Sequence, residues 1–269
     1  MARELVGTLP PWMPLTLKHV QGLVDKVYGV GVYKVIEKSA WFGLLGYRLT
    51  DWRAAFGTRG IKSMEVLIES CEDEDDEDEE LAAPSDNALP AEGTTDSTPT
   101  ASTSAEGSAA PKIAKLDLST KEGVAAFVAW ALQPHESGTM PFHWKSWGDG
   151  VDKKGFFLSH LIVYVFAGHL ASLALIPGSY GRLEAKPIGA LLLSVQAVQR
   201  ALQFFKTGEY INRGKTADHF SIDNWGDTKV AVGSNKTKLV RRATKFMATV
   251  QGWDPDRWNE LIEAKGAQR

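Results

Sequence analysis

Leu191, Val195, Val198, Leu202 and Phe205 recur at alternating intervals of four and three residues. That spacing is the apolar seam of a bundled helix, and it predicts a helix over 187–207, closed by Lys206 and Gly208. The preceding segment, 156–176, is apolar on every side and predicts a helix enclosed by others. Trp52, Phe56, Met64, Leu67 and Ile68 keep helical spacing through 51–70, with Thr50 or Asp51 as the N-cap. Gly57 and Gly60 weaken this helix unless another backbone approaches closely there. Ser119 followed by Glu122 predicts a capping box opening a helix through Val124, Phe127 and Trp130. A helix is expected over 236–250, and Asp254-Pro255 starts a last one through Trp258, Leu261 and Ile262. Residues 133–155, rich in Pro, Gly and Trp, and residues 209–233 read as irregular. Nothing alternates clearly enough to predict a strand. Trp130, Leu191, Val195 and Phe205 are the expected core.

The fold class predicted is therefore all-α, a helical bundle interrupted by a long insert. Glu72 to Glu80 are nine consecutive acids, and the chain to about Ala110 then holds Ala, Ser, Thr, Pro and Glu without an aromatic residue. Such a segment buries too little apolar surface to offset its ordering entropy, so disorder is expected. The expected parts are helical residues 1–70, an acidic insert over 71–112 and helical residues 113–269. The first part is too poor in elements to fold alone, and should pack on the third.

Charge follows the same division. Residues 71–110 hold 13 of the 33 acids and none of the 30 bases, leaving a net of +10 on the rest of the chain. The insert is expected to compete with phosphates for that basic surface. Within it one stretch stands out, because no acid occurs between Asp227 and Asp254. On a helix at ~100° per residue, Lys238, Arg241, Arg242 and Lys245 would form one stripe. Leu239, Val240, Ala243, Phe246, Met247 and Val250 would form the opposite, core-facing one. A basic stripe backed by an apolar stripe suits contact with a phosphate backbone, although an ordinary solvated face has the same composition.

Three stretches, 46–61 (GYRLTDWRAAFGTRGI), 153–169 (KKGFFLSHLIVYVFAGH) and 186–208 (KPIGALLLSVQAVQRALQFFKTG), resemble a family of uncharacterised proteins abundant in mushroom-forming fungi. The family pattern runs from a Tyr-Arg-x-x-x-Trp-Arg helix through a variable insert and an aromatic loop. A Gly-Phe-x-x-Ser-x-x-Ile helix and a helix reaching a Gln-Arg-Ala step follow. The resemblance implies a helical fold, no established chemistry and a setting near mobile elements. The insert of this chain is longer and more acidic than the pattern.

Other chemistry finds little support. Cys71 adjoins nine carboxylates, which disfavour a thiolate, and the adjacent Ser159 and His160 do not face each other on a helix. His135, His143, His160, His169 and His219 form no i,i+4 pair, so no metal site is expected. Gly178-Ser179-Tyr180-Gly181 lacks the Lys-Ser/Thr step of a phosphate loop, and no cofactor is expected. Phe142, His143, Trp144 and Trp147 beside Lys145, Lys153 and Lys154 could stack single-stranded bases, but more commonly plug the end of a bundle. The N-terminus has no secretory pattern. Segment 156–176 reaches the ~20 residues of a membrane span, yet His160 and His169 would lie on opposite sides of it. No membrane partner is expected. The reading is a non-enzymatic protein, nuclear rather than cytoplasmic, that binds nucleic acid or another polyanion through Lys238, Arg241, Arg242 and Lys245. Its rival is a helical protein-interaction module with no nucleic-acid contact.

Overall fold

A computed structural model describes residues 7–75, 116–135, 137–147, 152–175, 186–231 and 236–264. Helix α1 (Leu17–Tyr28) opens with a reciprocal cap, in which Thr16 Oγ1 accepts the His19 N–H and His19 Nδ1 accepts the Thr16 N–H. Helix α2 spans Ala40–Asp75. It begins ten residues before the expected Thr50 or Asp51, where Ser39 Oγ accepts the Phe42 N–H at 3.4 Å. It also runs into the first acids of the expected insert, so residues 71–75 are helical. The remainder of that expectation, and the Gly178–Gly181 stretch, lie outside the described residues.

Helix α3 (Lys121–Ala131) is capped by Thr120, whose side chain accepts the Gly123 N–H. This corrects the Ser119–Glu122 box by one residue, because Ser119 is taken up by Asp117 through its N–H and hydroxyl. A 3-10 turn, Pro141–His143, leads into strands β1 (Trp144–Ser146) and β2 (Lys154–Phe156), which pair antiparallel. Helix α4 (His160–Ala174) is capped by Ser159, and helix α5 (Ile188–Phe204) follows. A 3-10 turn at Thr216–Asp218, helix α6 (Ile222–Trp225), and antiparallel strands β3 (Thr228–Ala231) and β4 (Thr237–Val240) come next. Helices α7 (Met247–Gln251) and α8 (Pro255–Ala264) end the described chain.

The protein is thus helix-dominated, with two small two-stranded sheets where only helix and loop were expected. The expected basic helix over 236–250 does not form. Its first half is β4, its middle is a turn, and only Met247–Gln251 is helical. Thr228, Val230, Thr237 and Val240 are β-branched and stiff at χ1, and the sequence between the strands, Val-Gly-Ser-Asn, is rich in turn formers.

Helix α5 is the centre of the core. It contacts α2, α3, α4 and α7, and all five residues of the predicted seam are buried. Trp130, expected in the core, is only half-buried beside Phe127. The α2–α5 crossing explains Gly60, and the packing of Phe220 on α2 explains Gly57. A Cβ on Gly60 would lie 2.4 Å from the Ala197 carbonyl oxygen, and one on Gly57 would press on the Phe220 ring. At Gly60 the helices approach backbone to backbone, and at Gly57 a side chain fills the space, so close packing offsets the propensity cost of both. Residues 7–75 therefore pack along α4 and α5 through α2. Helix α4 places His169 in the core against Trp52 and leaves His160 at the surface, as the nine-residue spacing requires. Among the described residues no helix is long and apolar enough to cross a membrane.

Candidate functional site

The basic segment shares a cavity with α5 residues between Leu192 and Gln203, and it is bent into a turn by a carboxylate from outside it. Asp227 Oδ1 accepts the backbone N–H groups of Arg242, Ala243 and Thr244 at 2.9, 2.8 and 3.1 Å, and its Oδ2 accepts the Thr244 hydroxyl. Burial raises the Asp227 pKa, but the bonds from the Thr244 side chain and from the three N–H groups outweigh it and hold the carboxyl below its usual range. Three consecutive donors engaged by one side chain are not free for a helix, which is why the stripe does not form.

The four predicted cations separate accordingly. Lys238 faces solvent on β4, paired across the hairpin with Val230. Arg241, Arg242 and Lys245 instead line one cavity of about 530 Å³. Arg242 Nη1 donates to the Asn224 carbonyl at 2.6 Å, and Lys245 Nζ donates to the Gly138 carbonyl. These bonds aim the cations without neutralising them. Among the described residues none of the three joins an ion pair, and no carboxylate lines this cavity. Partial burial lowers the Lys245 pKa.

Amides form the floor. Gln196 is locked, its Oε1 accepting Trp12 Nε1–H at 2.8 Å and its Nε2 donating to the Trp225 carbonyl at 2.7 Å. Asn224 spends both Nδ2 protons on the Thr216 and His219 carbonyls. Gln199 makes only a long contact from Nε2 to the Met140 sulfur, 3.9 Å, and Gln203 is exposed. Both therefore keep amide groups for a ligand. His143 also lines the cavity but adds no charge. It is buried, its Nδ1 accepts the Met140 N–H at 3.0 Å, and burial followed by the nearby Lys245 charge push its pKa down to about 3.

A second cavity of about 270 Å³ shares Gln203, Ala217 and Trp225 with the first. Arg200, Lys206 and Arg213 line it, together with Asp218. Arg200 Nε donates to the Asp218 carbonyl at 2.8 Å and its guanidinium lies 4.4 Å from the Phe204 ring centre. Sequence reasoning did not group these three cations, because Arg200 lies on the seam helix, Lys206 reads as closing that helix and Arg213 falls in irregular chain. The net positive charge outside the insert was their one signal.

The aromatic loop is occupied by its own chain. Phe142 and His143 are buried, and the His143 ring packs on Phe142, Phe157 and Phe246. Lys153 Nζ lies 4.2 Å from the Trp147 ring centre, and His135 packs on the same ring. Ser159 is committed to capping α4, and Cys71 is half-buried near the end of α2. Among the described residues no three His, Cys, Asp or Glu side chains gather as metal ligands would. The chain matches no protein-family model, no curated protein and no solved structure.

Proposed function

We propose that the protein is a non-enzymatic binder of nucleic acid or another polyanion, and that it engages its ligand through this basic cleft. The observation that carries the reading is the placement of Arg241, Arg242 and Lys245 on one carboxylate-free cavity, each of the last two anchored on a backbone carbonyl. Cations so held have lost little of their charge and can exchange counterions for phosphates. Exposed Lys229, Lys236 and Lys238 on the adjoining β3–β4 hairpin extend the positive surface. A nuclear location, beside the mobile elements that the fungal resemblance implies, goes with this reading.

The test is salt-dependent binding of random-sequence DNA by the full chain. Replacing Arg241, Arg242 and Lys245 together by Ala is expected to lower affinity at low salt at least tenfold, and to flatten the log–log salt slope by about 2–3. Lys238→Ala, outside the cavity, should have the smaller effect. Unchanged affinity and slope in the triple variant would remove the cleft from the interaction.

A second reading has its own observation. Val30, Val32, Tyr33 and Ile36 in the α1–α2 connection, and Leu44 and Tyr47 early in α2, are all about half or more exposed, with Val30 at 89%. Exposed apolar residues in such number mark protein contact surfaces where they form one patch. A chain that binds no DNA at any salt, but self-associates or sediments with a protein partner, would favour that role.

A further inference from the structure

The two cavities form neighbouring compartments of one trough, and its chemistry narrows the ligand. This step rests on the polyanion reading above. We infer that the trough takes a single-stranded polynucleotide, with one nucleotide seated in the larger compartment and the phosphates on either side of it held by the two groups of cations.

Three observations lead there. First, the positive charge lies on both compartments, Arg241, Arg242 and Lys245 on one and Arg200, Lys206 and Arg213 on the other. The only carboxylate on either lining is that of Asp218. A ligand that spans both must therefore carry more than one anionic group. Second, the surface joining the compartments is not charged. Gln203 and Trp225 belong to both, and Gln199 stands beside them with its amide oxygen uncommitted. The amide groups suit the hydrogen-bonding edge of a base, while Trp225, a buried ring packed on Phe220, adds only apolar lining. Uniform polyanions such as polyphosphate have no such edge to offer. Third, the cations line a concavity. Duplex DNA carries its phosphates on the outside of a stiff cylinder and its base edges in grooves entered only by protruding elements. It can touch the rim of such a trough but cannot fill it. A single strand can bend, unstack and place one nucleotide inside. The larger cavity, about 530 Å³, falls within the roughly 300–1,000 Å³ that encloses a ligand of that size.

The locked groups give the trough a fixed shape before a ligand arrives. Gln196 ties the Trp12 indole to the α6 carbonyl at Trp225, and Asp227 fixes the 242–244 backbone. Gln199, Gln203 and the arginine heads are left to choose the ligand.

The test is fluorescence anisotropy on the full chain with four probes: a labelled deoxythymidine decamer, a uridine decamer, a duplex matched in phosphate number, and heparin as competitor. One or both decamers are expected to bind at least about tenfold more tightly than the duplex at equal salt. The comparison between decamers separates DNA from RNA, since only the uridine strand carries the 2′-hydroxyl. Gln199→Ala with Gln203→Ala should weaken the strand at least about fivefold and leave duplex and heparin binding within about twofold. Arg213→Glu, which alters the smaller compartment through an exposed residue, should also weaken the strand more than the duplex. Circular dichroism confirms that each variant is folded. Photocrosslinking of a 5-iodouridine strand should label peptides within 217–225 or 241–246, and this readout needs no substitution.

Equal affinity for strand and duplex, or glutamine variants that weaken every probe alike, would overturn the single-strand inference and leave a general polyanion surface. Crosslinks confined to other peptides would overturn it as well. Absence of salt-dependent binding to all four probes would instead overturn the polyanion reading on which it rests.

Discussion

Truncating Leu191 to alanine is expected to lower the stability of the protein by ~2–5 kcal/mol, in the upper part of that range. The side chain is fully buried on α5, and α5 is enclosed by α2, α3, α4 and α7. The loss contains the transfer of the removed carbons to water and the cavity that remains. With helices on several sides and the α2–α5 approach already at backbone contact at Gly60, the site has little room to collapse. The urea midpoint, followed by the fluorescence of nine tryptophans, reads the change directly. Ile262→Ala, at a residue 47% exposed on α8, serves as comparison and should cost less than about 1 kcal/mol. A midpoint unmoved by the Leu191 substitution would refute the register of the central helix.

Acid should destabilise the protein well before its ordinary carboxylates protonate. His143 is buried among Phe142, Phe157 and Phe246, and desolvation, with a smaller push from Lys245, holds its pKa near 3. The unfolded chain binds a proton at that ring from about pH 6.5 downward, whereas the folded chain does not. Stability is therefore complete above about pH 6.5 and falls as pH drops toward 3, by on the order of 3–5 kcal/mol over the whole window. Asp227, with its pKa depressed by the Thr244, Ala243 and Arg242 hydrogen bonds, adds loss in the same direction but only once carboxylates begin to titrate. The interval from about pH 6.5 to 5 thus separates histidines from carboxylates. His160, its pKa also lowered by burial, adds loss in the same direction, and the His143→Gln comparison assigns the share of His143. A urea midpoint that stays flat across it, or that falls equally in His143→Gln, would contradict the assignment. Because the folded ring stays neutral, His143 should not strengthen polyanion binding as pH falls from 7 to 5.

Local order was readable from local spacing. The seam of α5 needs only residues three and four apart, and the start of α8 needs only Asp254, whose Oδ1 accepts the Arg257 N–H at 2.7 Å. Glycine costs helix stability, so Gly57 and Gly60 pointed to a close backbone approach, which is met at Gly60, whereas Gly57 faces the Phe220 side chain. The uneven charge of the chain was likewise evident without coordinates. The basic segment shows what such reasoning lacks. Its helical pattern from Leu239 to Val250 is genuine, and yet β4 pairs with β3 and Asp227 takes three N–H groups 15–17 residues further along the chain. A strand ladder and a side-chain clasp satisfy the same backbone donors that a helix would use, and their partners lie beyond any helical window. The cleft is a stronger case still. Residues near 138, 199, 224 and 242 carry no common spacing, and they meet only because α5 supplies a floor over which three separate segments fold. Short-range spacing and composition were enough to show which faces must be buried and where positive charge accumulates. That Arg241, Arg242 and Lys245 line a cavity while Lys238 does not follows from contacts between distant segments, which no local spacing encodes.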